Sequence, residues 1–251
     1  MSFDVIIADG IGEIVINHPP VNALDTAAWN AFPKVIAETG SNPDVRCVMI
    51  RAEGKGFCAG VDIKEMQKHP ERITELNRGN YLTYKAVRAC EVPVVTAVHN
   101  YIIGGGVGIS GASDVIIAAE DAFFALSEID RGAMGGASHL SRMIPLHKVR
   151  ALFFTGSNLS AQEAFRLGAI EKVVPRDKLI EETRAFAAVI ASKSRKALVL
   201  AKEALNGIEA RDVDTDYRFE QGFTLEMYMH PDSQKSRDVF VKEKKAADFK
   251  S

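Results

Sequence analysis

Three consecutive glycines at positions 104–106 constrain the fold of this chain more than any other feature of its sequence. They follow the apolar run 94–98, which is typical of a buried strand, and they precede the small apolar residues 107–112, which suit the first turns of a buried helix. Glycine allows positive φ and lets a ligand approach the backbone closely. The free N–H groups at the start of the helix therefore predict a site for a phosphate or for an oxygen that becomes negative.

A dinucleotide site is one alternative for the same segment, because Gly106, Gly108 and Gly111 satisfy the pattern G-x-G-x-x-G. That pattern is weak by itself. The acidic residues that follow, Asp121 and Glu128, also come sooner than the ~20 residues at which a ribose-binding acid is expected. A dinucleotide site is therefore disfavoured.

The segment 53–66, EGKGFCAGVDIKEM, provides a second turn of the same kind. Its glycines, Gly54, Gly56 and Gly60, follow the mainly apolar run 45–52, which is typical of a strand in a parallel sheet. Ligands of α/β sheets bind at the carboxyl ends of strands, and two such turns can each donate one N–H group to the same oxygen. An ordinary surface loop is the alternative interpretation of this segment.

The composition is that of an ordinary globular protein of 251 residues, of which 47% are hydrophobic. The formal net charge of −2 provides no field that would recruit nucleic acid or an anionic membrane. The N-terminus lacks the basic and apolar regions of a signal peptide, and no apolar run approaches the ~20 residues of a membrane span. We therefore expect a cytoplasmic protein.

The cysteines and histidines do not form a metal-binding pattern. Cys47, Cys58 and Cys90 are odd in number and far apart in the sequence, which indicates reduced thiols rather than disulfides or zinc ligands. The six histidines show no H-E-x-x-H or comparable spacing. We expect no bound metal.

Strand and helix signals alternate along most of the chain. The dipeptide Asp9-Gly10 lies between two apolar runs and predicts an antiparallel hairpin. Asp25 or Thr26 can begin a helix, in which Pro33 predicts a kink or a restart. This alternation is typical of an α/β protein.

Beyond residue 175 the apolar spacing is helical throughout, with predicted helices at 177–192, 194–208, 212–228 and 232 to about 245. We therefore predict a core at 1–192 and a helical C-terminal region at 193–251. Phe219 and Phe223 in that region must bury apolar surface on the same chain or on a neighbouring subunit, which favours oligomerisation.

Several motifs occur in the order found in the crotonase, or enoyl-CoA hydratase/isomerase, superfamily, which the chain resembles over nearly its whole length. They are PPVNAL at 19–24, GKGFCAGVDIKEM at 54–66, YIIGGGVG at 101–108, SDVIIAAEDAFFALSEI at 113–129, LSAQEAFRLGAIEKVVP at 159–175 and VFVKEKKAADF at 239–249. The resemblance implies a spiral of ββα units with a helical C-terminal region that forms a homotrimer or a dimer of trimers. It also implies a coenzyme A thioester as substrate, with no further cofactor.

By position, the resemblance places the two oxyanion-hole N–H groups on Val61 and Gly105, within the two glycine turns. Hydratases of the family use two glutamates. The second is present here as Glu128, whereas the first falls on Gly108, which has no side chain. Because hydration is normally served by two carboxylates that orient one water molecule, ordinary hydratase activity is not expected.

One base is sufficient for other enolate chemistry, such as double-bond isomerisation or hydrolysis of a C–C bond by a retro-Claisen reaction. The segments GVDIKEMQ, SEIDRGAMGGASHLSRMIP and YRFEQGFTLE resemble bacterial ring-opening CoA-ester hydrolases of late steroid breakdown, which also carry glycine at the position of Gly108. We therefore favour hydrolytic opening of a cyclic diketone CoA ester. The alternatives are an isomerase, an atypical hydratase, or an inactive CoA-binding subunit.

Further residues are candidates for binding the acyl group. Arg131 is a candidate for binding a substrate carbonyl or carboxylate, or for a structural ion pair. His139 lies where the family usually has glycine and is either a second acid/base group or a packing residue. Gly136 is a further substrate-binding candidate, and Asp130 is a weaker candidate than Glu128 for the base.

The resemblance also implies a site for the nucleotide part of coenzyme A. Lys64 follows the glycine turn at 54–60 and is placed to meet phosphate. Phe240, with Lys242 or Lys244, matches the C-terminal pair that binds the nucleotide from a neighbouring subunit. The alternative for these lysines is a solvated charged surface.

Overall fold

The structure, a computed structural model, describes residues 2–249. The strands are β1 (Phe3–Ala8), β2 (Ile11–Ile16), β3 (Ala23–Leu24), β4 (Cys47–Ala52), β5 (Gly60–Val61), β6 (Val94–Val98), β7 (Tyr101–Ile103), β8 (Val115–Ala119), β9 (Phe123–Ala125), β10 (Leu159–Ser160) and β11 (Lys172–Val174). The helices are α1 (Thr26–Ser41), α2 (Ile63–Lys68), α3 (Ile73–Arg88), α4 (Gly105–Ala112), α5 (Ala137–Met143), α6 (Leu146–Thr155), α7 (Ala161–Arg166), α8 (Leu179–Ala191), α9 (Arg195–Ile208), α10 (Val213–Met229) and α11 (Pro231–Glu243). Short 3₁₀ helices cover Pro70–Arg72, Glu128–Arg131 and Arg176–Lys178.

The N-terminal hairpin and the first helix follow the local signals of the sequence. β1 and β2 pair antiparallel around Asp9 and Gly10, which adopt the positive φ values of 52° and 79°. The Asp25 carboxylate caps α1 by accepting a hydrogen bond from the Ala28 N–H at 2.7 Å. α1 runs unbroken through Pro33, so the predicted restart at that residue is wrong.

The main sheet has six strands in the order β1-β2-β4-β6-β8-β11, and all neighbouring pairs after the first hairpin are parallel. Side chains alternate between its two faces. In β4, Cys47 and Met49 point into a small core with α8, whereas Val48 and Ile50 join the large core that also includes residues of α1, α3 and α4. The continuous apolar runs of the sequence therefore predict correctly that these strands are buried on both faces.

Two small sheets hold the loops that follow the main strands. β3 pairs with β5, and β10, β9 and β7 form a second small sheet. β7, α5 and α6 are additional to the elements that the sequence predicts. β7 has only three residues and α5 begins at a glycine-rich turn, where hydrophobic periodicity carries little information, whereas α6 begins after Pro145 and spans ten residues.

The chain from 176 to 249 contains helices and no strand, as predicted. α10 packs on α3 and α5, and α11 packs on α2. Phe219 and Phe223 nevertheless stay exposed, at 72% and 45%, and form an edge-to-face pair with ring centroids 5.2 Å apart. Among residues 2–249, no helix is both long and apolar enough to cross a membrane.

Candidate active site

The two glycine turns predicted from the sequence meet in the structure. The N–H of Ile103 donates to the Cys58 carbonyl at 2.9 Å. A Cβ placed on Gly60 would lie 3.3 Å from the Gly105 nitrogen, and one placed on Gly105 would lie 2.5 Å from the indole of Trp29. Glycine at positions 60 and 105 thus permits a close approach that side chains would prevent.

Gly105 begins α4, so its N–H lies in the first helical turn, where backbone donors lack an intrahelical acceptor. Gly104 precedes it with a φ of 52°, a conformation that favours glycine. A Cβ on Gly104 would lie only 2.3 Å from Oε1 of Glu128. The absence of a side chain at Gly104 therefore leaves room for the Glu128 carboxyl beside the start of α4.

Glu128 begins a 3₁₀ helix three residues after the end of β9. Part of the residue faces the pocket, but its Oε2 is buried and has no hydrogen-bond partner. Burial raises the pKa of Glu128 to about 7, with a further increase from Glu220, while its own backbone N–H and Arg131 oppose the shift. A carboxyl with this pKa can accept and release a proton near neutral pH.

The space next to Gly108 is occupied by the ring of Tyr84 from α3. A Cβ on Gly108 would lie 2.2 Å from Cζ of that ring. Tyr84 is 3% exposed and packs edge to face on Trp29, His139 and Tyr217, with ring centroids 6.0, 4.7 and 5.1 Å apart. A second carboxylate at position 108 is therefore sterically excluded unless this aromatic cluster moves.

These groups line one pocket between the core and the C-terminal helices. Its wall is largely apolar, but five of its buried side-chain atoms have no hydrogen-bond partner. They are Oε2 of Glu128, Nε of Arg131, Nε of Arg237, Nδ2 of Asn77 and Nδ2 of Asn80. Four donors and one basic acceptor suit a ligand with several carbonyl or carboxylate oxygens.

The structure brings together most of the predicted acyl-binding residues. Val61, Gly105, Glu128, Arg131 and Gly136 all line this pocket. Position 136 requires glycine for two reasons. Its φ is 87°, and a Cβ there would lie 2.8 Å from Cδ2 of Leu126.

His139 does not reach the pocket wall. Its ring is fully buried behind Tyr84 and Tyr217, and burial lowers its pKa to about 3, with smaller contributions from Arg142 and Arg88. The neutral ring is thus placed as a packing group rather than as the acid/base group considered above. Asp130 is also absent from the pocket lining.

The predicted nucleotide-binding residues lie outside the pocket lining. Lys64, Lys242 and Lys244 are exposed. The ring of Phe240 contacts two cations, with Cζ of Arg131 at 4.5 Å and Nζ of Lys244 at 5.3 Å from its centroid. Phe240 therefore lies between Lys244 and Arg131, which lines the pocket.

Glu220 of α10 holds the loop that carries Glu128 against the C-terminal helices. Its carboxylate accepts hydrogen bonds from the N–H groups of Ala137 and Ser138 at 2.8 and 3.1 Å, and from Ser138 Oγ at 2.8 Å. These contacts stabilise the N-terminus of α5. The position of the loop thus depends on a residue far away in the sequence.

Sequence reasoning missed Tyr84, Tyr217, Arg237 and Glu220. Each lies on a helix with ordinary amphipathic spacing, and no local motif marks it as part of a site. The missing side chain at Gly108 was the only available signal, since a vacant position in a packed interior must be filled by another residue.

Three comparisons with known proteins agree with this geometry. The family model of enoyl-CoA hydratase/isomerase matches residues 7–251. Relatives called "(7aS)-7a-methyl-1,5-dioxo-2,3,5,6,7,7a-hexahydro-1H-indene-carboxyl-CoA hydrolase" are 46% identical, over 235 residues in Rhodococcus jostii and over 236 residues in Mycobacterium tuberculosis. Both matches cover 93% of this chain, with 91% and 95% of the respective relatives.

The fold is shared with solved structures of similar length. A crystal structure of an enoyl-CoA hydratase from Mycobacterium avium subsp. paratuberculosis superposes with a TM-score of 0.88 at 24% identity, covering 100% of this chain and 99% of that one. The predicted crotonase fold is confirmed. The chain belongs to the enoyl-CoA hydratase/isomerase family and is an enzyme of the crotonase superfamily.

Proposed function

We propose that this enzyme hydrolyses a C–C bond in a cyclic diketone CoA ester and so opens the ring. One observation carries the proposal. Glu128 is the single carboxylate that lines the pocket, and the ring of Tyr84 fills the space where a second carboxylate on residue 108 would lie. The names of the relatives from Rhodococcus jostii and Mycobacterium tuberculosis describe hydrolysis of a bicyclic dioxo CoA ester, which supports the same reaction class. The proposed role in steroid breakdown rests on the motifs that resemble ring-opening hydrolases of that process.

In this proposal, the N–H groups of Val61 and Gly105 bind the thioester oxygen as it becomes an enolate. Two observations support this role for the two N–H groups: the two glycine turns meet, and Gly105 lies in the first turn of α4. Each donor is expected to contribute about 3 kcal/mol to transition-state stabilisation. The thioester enolate is then a good leaving carbanion.

Glu128 serves as the single base. Its carboxylate removes a proton from water, and the hydroxide formed attacks the ring ketone carbon. The adjacent ring C–C bond breaks, and its electron pair enters the thioester enolate, directly or through a conjugated double bond. Protonated Glu128 then returns the proton to carbon. Water supplies both the new hydroxyl and the new C–H bond, so the reaction consumes no cofactor.

Coenzyme A enters as part of the substrate. Its nucleotide is bound by Lys64 and, from a neighbouring subunit, by Phe240 with Lys242 or Lys244. Within its own chain, Phe240 contacts Arg131 at the pocket. The charges of the lysines complement the phosphates of the nucleotide.

A second copy of the chain covers the exposed aromatic pair Phe219 and Phe223, in a homotrimer or a dimer of trimers. The support is the exposure of these large rings, which is unusual for a monomer. Sedimentation equilibrium of the intact protein tests this part of the proposal, and a purely monomeric species would contradict it.

Mass spectrometry of purified enzyme tests the reaction. The enzyme is incubated separately with crotonyl-CoA, a 3-enoyl-CoA and a bicyclic diketone CoA ester, alongside Glu128→Gln. We expect the diketone to gain one water with ring opening, and the variant to lose this activity. Rapid hydration of crotonyl-CoA would instead indicate a hydratase, and isomerisation of the 3-enoyl-CoA without ring opening would indicate an isomerase. No turnover of any ester would favour a binding subunit.

A further inference from the structure

Arg237 of α11 is a buried cation on the pocket wall. It is 5% exposed, and its guanidinium lies over the ring of Tyr228 at 4.0 Å from the centroid. Its Nη1 donates to Ser233 Oγ, and its Nη2 donates to Gln234 Oε1 at 2.8 Å. Its Nε has no partner. The neighbours of Arg237 are thus neutral groups that orient it without neutralising it.

Arg131 lines the same pocket with a similar arrangement. Its guanidinium packs on the ring of Phe240, its Nη1 donates to Ser127 Oγ, and its Nε is buried without a partner. The two arginine segments are also joined, because Ser233 Oγ donates to the carbonyl of Gly132. The fold therefore fixes both cations in relation to the Glu128 loop.

Lys202 and Glu13, which are as deeply buried as Arg237, have partners of opposite charge. Lys202, 4% exposed, lies 2.8 Å from Asp114. Glu13, also 4% exposed, pairs with both Arg51 and Arg184. Among residues 2–249, by contrast, no carboxylate lies within ion-pair distance of Arg131 or Arg237. The charges of Glu128 and Asp130 act on the half-buried Arg131 from beyond that distance, whereas Arg237 is buried. A buried cation without a paired anion is costly, so the persistence of Arg237 in the pocket wall, with Arg131 beside the same pocket, points to an anionic ligand.

We propose that Arg131 and Arg237 bind a carboxylate on the acyl group of the CoA ester, namely the carboxylate that ring opening creates. This inference rests on the proposed function, in which hydroxide adds to the ketone carbon and that carbon leaves the ring as a carboxylic acid. The acid ionises and releases its proton to solvent. The planar guanidinium with free Nε donors matches a carboxylate better than it matches a hydrocarbon chain or a neutral ketone.

The same residues explain how the enzyme distinguishes its product from ordinary fatty acyl-CoA esters. An unbranched neutral acyl chain would leave both guanidinium groups desolvated and unpaired. An acyl chain that ends in a carboxylate would pair with them. The ligand class is therefore a CoA thioester that carries a second carboxylate on its acyl group.

Calorimetric binding of two commercial probes tests this inference without any turnover. Pimeloyl-CoA ends in a carboxylate, and heptanoyl-CoA has the same chain length but a neutral end. We expect the enzyme to bind pimeloyl-CoA about tenfold more tightly or better, which is the effect of one charge-assisted hydrogen bond. Arg237→Met and Arg131→Met should each reduce that preference to about twofold, whereas Arg237→Lys should keep part of it.

Arg78→Met is the matched control, because Arg78 is exposed and lies outside this pocket. It removes the same charge and should leave the preference unchanged. If Arg237→Met does not fold, Arg131→Met decides the question. Equal binding of the two probes by the wild-type enzyme, or a preference that survives in both Met variants, would overturn the inference.

The two proposals fail separately. Ring opening of the diketone ester without any preference for pimeloyl-CoA would overturn the carboxylate site and leave the C–C hydrolase. A preference for pimeloyl-CoA that depends on both arginines, together with no ring opening, would overturn the hydrolase. It would leave recognition of a carboxylate-bearing CoA ester in place.

Discussion

The ring of Tyr84 occupies the space that a side chain on Gly108 would fill, with Cζ 2.2 Å from the position of a Cβ on that glycine. Both residues are buried, and Tyr84 is held by contacts with Trp29, His139 and Tyr217. The absence of a side chain at position 108 and the presence of an aromatic ring in its place are therefore one structural feature. The pocket keeps Glu128 as its only carboxylate among the lining residues.

Gly108→Ala should destabilise the protein. The added methyl group overlaps the ring of Tyr84, and overpacking of this kind costs about 1–3 kcal/mol. Urea denaturation of the variant and the wild type measures the difference. Gly207→Ala is the control, because Gly207 lies within α9 and a Cβ there meets no atom within 4 Å. That control should leave the free energy of unfolding unchanged or raise it by up to about 1 kcal/mol. Equal stability of the two variants would contradict the packing described for Gly108.

Restoring the second carboxylate should require removal of the ring. We expect Gly108→Glu combined with Tyr84→Ala to hydrate crotonyl-CoA faster than either single variant, because two carboxylates can then orient one water. Gly108→Glu alone should be poorly folded. Spectrophotometric loss of the enoyl thioester measures hydration. A folded double variant that binds the CoA ester but gains no hydration would show that Tyr84 is not what separates this pocket from a two-carboxylate site.

Activity on the diketone ester should rise with pH through about 7. The base must be ionised, and burial raises the pKa of Glu128 to about 7. Below that value the rate should fall about tenfold per pH unit, as expected for one titrating group. The pH dependence of kcat/KM measures this in the free enzyme. A flat profile through neutral pH would exclude Glu128 as the base.

Glu128→Gln should stabilise the folded protein at high pH. The folded-state pKa of about 7 lies above the usual value of 4.5, so ionisation of Glu128 costs stability progressively as the pH rises between these values. Above about pH 8 the variant should be more stable by roughly 3 kcal/mol, and near pH 4 the difference should vanish. Glu120→Gln makes the same substitution at an exposed loop position and is the matched control. A variant less stable than wild type at about pH 8 would contradict the burial argument.

Local signals of the sequence were sufficient for the two turns that meet at the pocket. Asp9 and Gly10 marked the hairpin, and the glycines near Gly60 and Gly105 marked two turns that meet. These features depend on backbone conformation, which residue type reveals directly. The resemblance to the family then predicted Glu128 as the base, and in the structure its carboxyl lies beside Gly104.

The rest of the pocket depends on contacts between residues that are distant in the sequence. Tyr84 faces Gly108 from another helix, and Arg237 approaches the Glu128 loop from the C-terminal helix α11. Neither residue differs locally from a helix residue that packs or faces solvent, so no periodicity could assign it to the pocket. The same reason explains His139, whose location behind Tyr84 and Tyr217 follows from packing of three separate helices.

The most direct measurement is the position of oxygen when the bicyclic diketone CoA ester is turned over in ¹⁸O-labelled water. Tandem mass spectrometry of the product locates the label. We expect one ¹⁸O in a new carboxylate on the acyl group, an intact CoA thioester, and no incorporation with Glu128→Gln. Free CoA thiol with the label in the former thioester carboxyl, or a labelled hydroxyl on an intact ring, would contradict C–C hydrolysis.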